Sequence, residues 1–297
     1  MRVVGYRPNG AARALATRRH EAIGLVFPHL SGPYYAGVLL GLEEAASAHG
    51  LNLFIVGTHS RGRPEQLVAD LSRRVDGLVV MGRTVPDAVI AGLQRSGLPL
   101  VLLARPAVGS SDVVRTENRN SAQALTRHLL EHGHRRIAFV GDPASSPDAA
   151  ERWDGFCAAH TERGLPAPTR PVVSAFREMD GRSAALAALS EASRPTALFC
   201  ANDEIAMGTY AAAAERRLSI PNDLAVTGWD DIPVARFLAP ALTTVRQPLT
   251  EIGTMAARLV VERVAASRNK HVSTLLPTET LIRSSCGCQP QGGTWQR

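Results

Sequence analysis

From Glu21 onward the chain alternates short apolar runs with stretches in which apolar residues return every third or fourth position. Ala22 to Phe27 carries no charge and reads as a buried strand. Tyr35 to His49 sets Val38, Leu39, Leu42, Ala45 and Ala46 on one face, which predicts a helix closed by Gly50. The pattern repeats, with strands predicted over 51–56, 77–81 and 98–103 and helices over 64–74 and 86–96. A second set follows: helix 121–132, strand 137–141, helix 149–163, strand 172–176, helix 182–190, strand 197–200, helix 205–216 and strand 224–228. Strands separated by helices of this length are βαβ units, which require parallel strands and right-handed crossovers with helices on both faces. The expected class is α/β, with two doubly wound parallel sheets.

In open parallel sheets a ligand sits beyond the carboxyl ends of the strands. The loops there are rich in polar and aromatic residues. Two tyrosines, Tyr34 and Tyr35, follow the first strand; Arg152 lies near the start of the helix after 137–141; Ala201-Asn202-Asp203-Glu204 follows Cys200; and Trp229-Asp230-Asp231 follows Gly228. Carboxylate, amide and guanidinium groups beside aromatic faces suit a polyhydroxylated ligand, because each hydroxyl both donates and accepts while C–H faces pack on rings. The competing reading is that Asn202, Asp203 and Asp230 cap the helices that follow, as such residues commonly do.

Charge adds a second theme. The first nineteen residues carry Arg2, Arg7, Arg13, Arg18 and Arg19 and no acid, while the whole chain of 297 residues has a formal net charge of only +6. The remainder is nearly neutral, so the basic character belongs to an N-terminal arm, and either a polyanion partner or a solvated tail accounts for it. Lysine occurs once, at Lys270, so abundant arginine is a property of composition and not by itself a nucleic-acid signal. No long apolar run and no secretory leader is legible, and the expected location is cytoplasmic. Cys157 and Cys200 read as small core residues, and the C-x-C pair Cys286 and Cys288 as tail thiols. His128, His132 and His134 around Glu131 read as solvated residues at a helix end. No metal and no cofactor is expected.

Taken in order, several segments carry a resemblance: Gly5-Tyr-Arg-Pro-Asn-Gly-Ala-Ala-Arg-Ala-Leu-Ala-Thr17, Ile23-Gly-Leu-Val26, Gly32-Pro-Tyr-Tyr35, Leu129 to Phe139, Ala201-Asn-Asp203, Gly228-Trp-Asp-Asp231 and Leu242-Thr-Thr-Val-Arg-Gln247. Together they resemble the LacI/GalR family of bacterial transcription regulators. The resemblance implies a DNA-binding head, a short hinge helix, and a core of two subdomains of periplasmic-binding-protein type (type I), joined by three crossover strands and acting as a homodimer. Carried over by position, residues 1–20 are the remnant of the head plus the hinge, with Tyr6, Asn9, Arg13, Leu15 and Arg18 facing operator DNA. Leu15 would wedge into the minor groove, and Arg13, Arg18 and Arg19 would meet phosphates. The helix-turn-helix that should precede Tyr6 is missing from this chain, which suggests a start codon assigned too far downstream. Residues 21–116 and 248–275 would form the first subdomain, 117–247 and 276–288 the second, and 289–297 a tail.

The resemblance also implies an effector site, with Tyr34 and Tyr35 on the first subdomain and Arg152, Asn202 and Asp230 on the second. Ala104-Arg105 departs from the family, in which an aspartate commonly precedes that arginine, so one polar anchor of the usual sugar pocket is absent. The function implied is a ligand-responsive regulator, in most cases a repressor. Its effector, a sugar or sugar derivative, would bind between two lobes and change operator affinity through the hinge. The alternative is a sugar- or solute-binding protein that does not bind DNA. Enzyme readings fare worse: Asp230 and Asp231 are adjacent and point apart, and neither a nucleophile elbow nor a phosphate loop appears.

Overall fold

The computed structural model describes residues 19–28, 32–59, 62–266, 268 and 270–288. The expected hinge helix, with Tyr6, Asn9, Arg13, Leu15 and Arg18, lies outside the described residues, as does the tail after Cys288. The chain divides into two compact units. The first contains the described part of Met1–Leu30 together with Gly37–Arg115 and Thr250–Thr274; the second contains residues 32–36, Thr116–Leu249 and the chain from Leu275 onward.

The first unit is built on β1 (Ala22–Phe27), α1 (Pro33–Ala48), β2 (Asn52–Gly57), α2 (Pro64–Ser72), β3 (Gly77–Met81), α3 (Asp87–Arg95), β4 (Leu100–Leu103) and β5 (Asp112–Thr116). Its six-stranded sheet has the order β10-β5-β4-β3-β1-β2, where β10 is Ser273–Leu276. All six residues of β1 are buried, as its uncharged run predicts, and it pairs in parallel with β2 (Ala22↔Asn52) and β3 (Ile23↔Gly77). At the start of β5 the buried Asp112 carboxylate accepts from Arg268 Nη2 (2.7 Å), Arg263 Nε (3.1 Å) and the Val272 amide (2.7 Å). With Arg268 Nη1 (3.0 Å) as a fourth donor, this carboxylate anchors β5 to the end of α8 (Leu249–Val264) and to the segment after it.

The second unit runs α4 (Arg119–Glu131), β6 (Ile137–Val140), α5 (Pro147–Glu162), α6 (Glu178–Leu189), β7 (Ala197–Cys200), α7 (Asp203–Glu215), β8 (Ala225–Thr227), a 3-10 turn at Pro233–Arg236, β9 (Thr244–Arg246) and β11 (Glu279–Leu281). Its parallel sheet is β6-β7-β8, and β9 and β11 form a separate antiparallel pair. An aromatic core fills one face: Phe139 and Phe199 stack at 5.3 Å, and Trp153 and Phe156 at 5.6 Å. Such ring pairs add to the area they bury, roughly 1 kcal/mol per pair.

One expected strand does not form. Residues 172–176 contribute a single bridge, Val140↔Val172, at the outer edge of β6. Pro166, Pro168 and Pro171 precede it; the Val172 amide donates to the Phe139 carbonyl (2.8 Å) and the Val172 carbonyl accepts from the Gly141 amide (3.0 Å), but Val173 next to it is 68% exposed, so the segment leaves the sheet without the burial a longer ladder needs.

Candidate effector-binding site

The carboxyl ends of β6, β7 and β8 converge on Arg152. Ser146 caps α5 by accepting from the Ala149 amide (3.3 Å), and Pro147 opens the helix with its φ already suited to it. This start places Arg152 in the second turn, buried, with its guanidinium 4.5 Å from the centre of the Trp229 ring. Stacking on the ring offsets part of the cost of burying the charge. Nε donates to Asn118 Oδ1 (2.8 Å) and Nη1 to the Ala201 carbonyl (2.7 Å), while Nη2 stands 4.0 Å from Asp148. Two of the five guanidinium donors are therefore spent, and the fork keeps the others free of hydrogen bonds among the described residues.

Asp230 sits after β8 at φ +110°, a left-handed backbone that turns its side chain toward Arg152 while its amide donates to the Val245 carbonyl (2.8 Å). Its Oδ1 accepts from Gln247 Nε2 (2.6 Å), and Gln247 Oε1 accepts from Thr116 Oγ1 (2.6 Å). Burial lifts the Asp230 carboxyl from its ordinary 3.8 to about 7; Arg152 and the Gln247 hydrogen bond pull it back, and Glu204 and Asp148 reinforce the rise. Asp231 is turned away, its two oxygens taken by Arg283 (2.6 Å) and Arg246 (2.9 Å). Asp203 is wholly buried and structural: it accepts from Thr244 Oγ1 (2.6 Å) and the Ile232 amide (2.9 Å). Burial, and after it the Asp230 charge, holds Asp203 well above the usual carboxylate range. Gly228 makes room for this arrangement, since a Cβ there would lie 2.1 Å from Asp203 Oδ1.

Asn202 fills the capping role weighed for it. Its Oδ1 caps α7 through the Ile205 amide (2.9 Å), and its Nδ2 donates to the Phe176 carbonyl (3.0 Å), which leaves one amide hydrogen without a bond among the described residues. Tyr34 and Tyr35 form the first turn of α1, with rings edge to face at 5.3 Å. Residues 32–36 group with the second unit, not with the first as the resemblance implied. Burial raises Tyr34, with Asp148 and Asp230 adding to the rise and Arg152 opposing it; burial raises Tyr35, with Asp230 and Glu204 adding. Both rings stand among the charges of the second unit's strand-end loops.

Tyr34, Tyr35, Arg152 and Asp230 thus share one neighbourhood, which Asn202 borders. Sequence reasoning did not assign Asn118, Asp148, Glu204 or Gln247 to it. Asp148 lies four residues before Arg152 on α5, a helical spacing that could have marked it. Asn118 and Gln247 reach the site from 34 and 17 residues away, and no local pattern marks them. Ala104 adopts φ +52°, and the neighbouring Arg105 is occupied within the first unit, where it donates to the Gly82 carbonyl (2.9 Å) and pairs with Asp87. One cation, three carboxyl groups and two phenols make a site that accepts more than it donates. It matches a neutral, donor-rich ligand with several hydroxyls. The two thiols and paired imidazoles that could hold a metal stand elsewhere, at the end of α4. No helix among the described residues is long and apolar enough to cross a membrane.

Known proteins share this architecture. The family of periplasmic binding protein-like domains matches residues 126–286. The HTH-type transcriptional repressor PurR of Glaesserella parasuis serovar 5 (strain SH0165) is 30% identical over 292 residues, covering 95% of this chain and 86% of that protein. Catabolite control protein A of Priestia megaterium is 31% identical over 264 residues, or 87% and 80%. Among solved structures, a LacI family transcriptional regulator from Enterococcus faecium with bound ribose superposes with a TM-score of 0.83 at 27% identity, covering 91% of this chain and all of that one. The transcriptional regulator CelR in complex with cellobiose does so with a TM-score of 0.83 at 27% identity, covering 95% and 92%.

Proposed function

The chain belongs to the LacI/GalR family of transcription regulators, and from that premise we propose that it is a repressor whose second unit binds a small polyhydroxylated effector, a sugar or sugar derivative. The observation that carries the reading is Arg152. Its guanidinium is buried, stacked and oriented, yet it keeps unspent donors beside the Asp230 carboxyl, whose Oδ2 takes no hydrogen bond among the described residues. Arg152 forks onto ligand oxygens, Asp230 accepts from a ligand hydroxyl, and Tyr34 and Tyr35 pack on the C–H face of the ring with their phenols turned to its rim. Asn202 supplies its remaining amide hydrogen. Ligands found in two structurally similar regulators, ribose and cellobiose, are of this chemical class.

The active form is a homodimer that contacts operator DNA through Tyr6, Asn9, Arg13, Leu15 and Arg18, with phosphate contacts giving a steep salt dependence. Effector binding changes operator affinity only to the extent that the ligand binds the two states unequally.

The test is a thermal-shift screen of the purified chain against monosaccharides, disaccharides and sugar acids. A ligand at a hundredfold its Kd stabilises by roughly 2.7 kcal/mol. Arg152→Ala is expected to abolish the shift. A shift of unchanged size in that variant refutes the placement of the site, and product formation from a sugar refutes the regulator.

A further inference from the structure

His128 in the last turn of α4 and His132 at its C-cap stand one turn apart, with ring centres 4.5 Å apart. The last described turn of the chain lies against them, although it is 158 residues away in sequence. Cys286 Sγ is 3.3 Å from His128 Nε2; Cys288 Sγ is 3.6 Å from the same nitrogen and 3.1 Å from His132 Nε2. The donor atoms of His128, Cys286 and Cys288 all fall within 4.8 Å of one another. Gly287, at φ +96°, makes the tight bend that turns both flanking thiols toward the helix, a conformation a side chain would resist. Cys286 is 1% exposed and belongs to the core, so the reading of both cysteines as tail thiols fails for it.

Zinc binds four ligands tetrahedrally at about 2.3 Å to sulfur and 2.0–2.1 Å to nitrogen, which sets its donors roughly 3.3–3.8 Å from one another. The three sulfur-to-nitrogen separations, 3.1, 3.3 and 3.6 Å, lie near that shell, the donors of His128, Cys286 and Cys288 need to draw in from at most 4.8 Å, and inward rotation of the exposed His132 ring supplies the fourth ligand. Two thiols and two imidazoles, with no carboxylate among them, select a soft or borderline cation and reject magnesium and calcium. A support from outside the cluster is also present: Thr243 Oγ1 donates to Cys286 Sγ (3.1 Å), the type of outer hydrogen bond that steadies a ligating thiolate. Packing alone requires none of this convergence.

We propose that His128, His132, Cys286 and Cys288 form a tetrahedral site for a zinc-class divalent cation. Binding releases the two thiol protons to solvent and joins the chain after β11 to the far end of α4. The site is separate from the effector residues, and its occupancy is read without any effector.

The experiment uses the untagged full chain, reduced, stripped with a chelator and titrated with Co(II). The expected result is a sulfur-to-cobalt charge-transfer band with intense tetrahedral d–d bands, saturating at one equivalent per chain and bleached by Zn(II). Cys286→Ser and Cys288→Ser lose the charge-transfer intensity. His132→Asn, an exposed position that leaves the fold intact by circular dichroism, binds Co(II) more weakly, and Cys157→Ser changes nothing. Should Cys286→Ser fail to fold, Cys288→Ser at its more open position decides. A spectrum that stays weak and octahedral in the reduced wild-type chain overturns the proposal. So do tetrahedral bands that survive in Cys288→Ser and His132→Asn.

Discussion

Replacing Asp230 by asparagine keeps the shape of the side chain and an oxygen for Gln247 Nε2, removes the titration, and exchanges Oδ2 for an amide nitrogen. Burial holds this carboxyl at about 7 against an ordinary 3.8, so the folded protein binds a proton there over a pH range in which the unfolded chain has already released it. Stability from this group is fully present below about pH 4 and is lost as pH rises through 7. At about 1.4 kcal/mol per unit, the full loss is about 4 kcal/mol, of which about 3 kcal/mol falls between pH 5 and pH 8. Asp203 does not cancel the effect, because relieving it of the Asp230 charge shifts the comparison in the same direction. The assay is urea unfolding of wild type and Asp230→Asn at several pH values, followed by fluorescence of Trp153 and Trp229, both in the second unit. The stability of the variant relative to wild type should grow by about 3 kcal/mol from pH 5 to pH 8. A difference that is flat across that range, or that falls, refutes the assignment of a buried carboxyl raised to about 7 at this position.

Other expectations are as direct. Asp112 has the opposite sign: burial would raise it, but the hydrogen bonds from Arg268, Arg263 and Val272 outweigh burial and hold it below the usual range, so its contribution is present at neutral pH and lost on acidification. Asp112→Ala, which removes the acceptor shared by Arg263 and Arg268 and leaves Arg268 its pair with Glu262, should cost roughly 1–3 kcal/mol at pH 7 in denaturant titration. Gly228→Ala drives a methyl to within 2.1 Å of Asp203 Oδ1 and should cost roughly 1–3 kcal/mol, seen as a lowered Tm. Arg152→Lys keeps the charge but loses the planar fork and the stack on Trp229, so effector-induced stabilisation should fall sharply while the variant stays folded, as read by thermal shift with and without ligand.

Much of the framework was legible because the two periods, two and 3.6, are imposed by burial itself. Ala22 to Phe27 and Ala197 to Cys200 are fully buried strands and read as such from their uncharged runs. The failure at 172–176 came from reading apolar content without the prolines upstream. At the site, Arg152 and Asp230 were legible as polar residues at strand ends, and Asn202 as a helix cap, the use its Oδ1 has here. Asn118 and Gln247 were not legible, because what makes them matter is a partner brought close only by the fold. The same holds for Cys286 and Cys288, which look idle until α4 is laid beside them. The tyrosines were identified correctly as aromatics after β1, but a ring's neighbours depend on where the first turn of α1 leans, which no pattern encodes.

The Thr116–Gln247–Asp230 chain has an implication for how ligand preference can drift. Gln247 spends its oxygen on Thr116 and its nitrogen on Asp230, so its amide has one permitted orientation, and a glutamate in its place would set one acid against another. Change at Gln247 must therefore arrive together with change at Thr116 or Asp230, a double step that single-codon mutation seldom takes. Tyr34 and Tyr35 stand outside the Thr116–Gln247–Asp230 hydrogen-bond chain, so replacing either demands no matching change within it. New specificities in this lineage, whether selected in nature or in the laboratory, should enter through the tyrosines first.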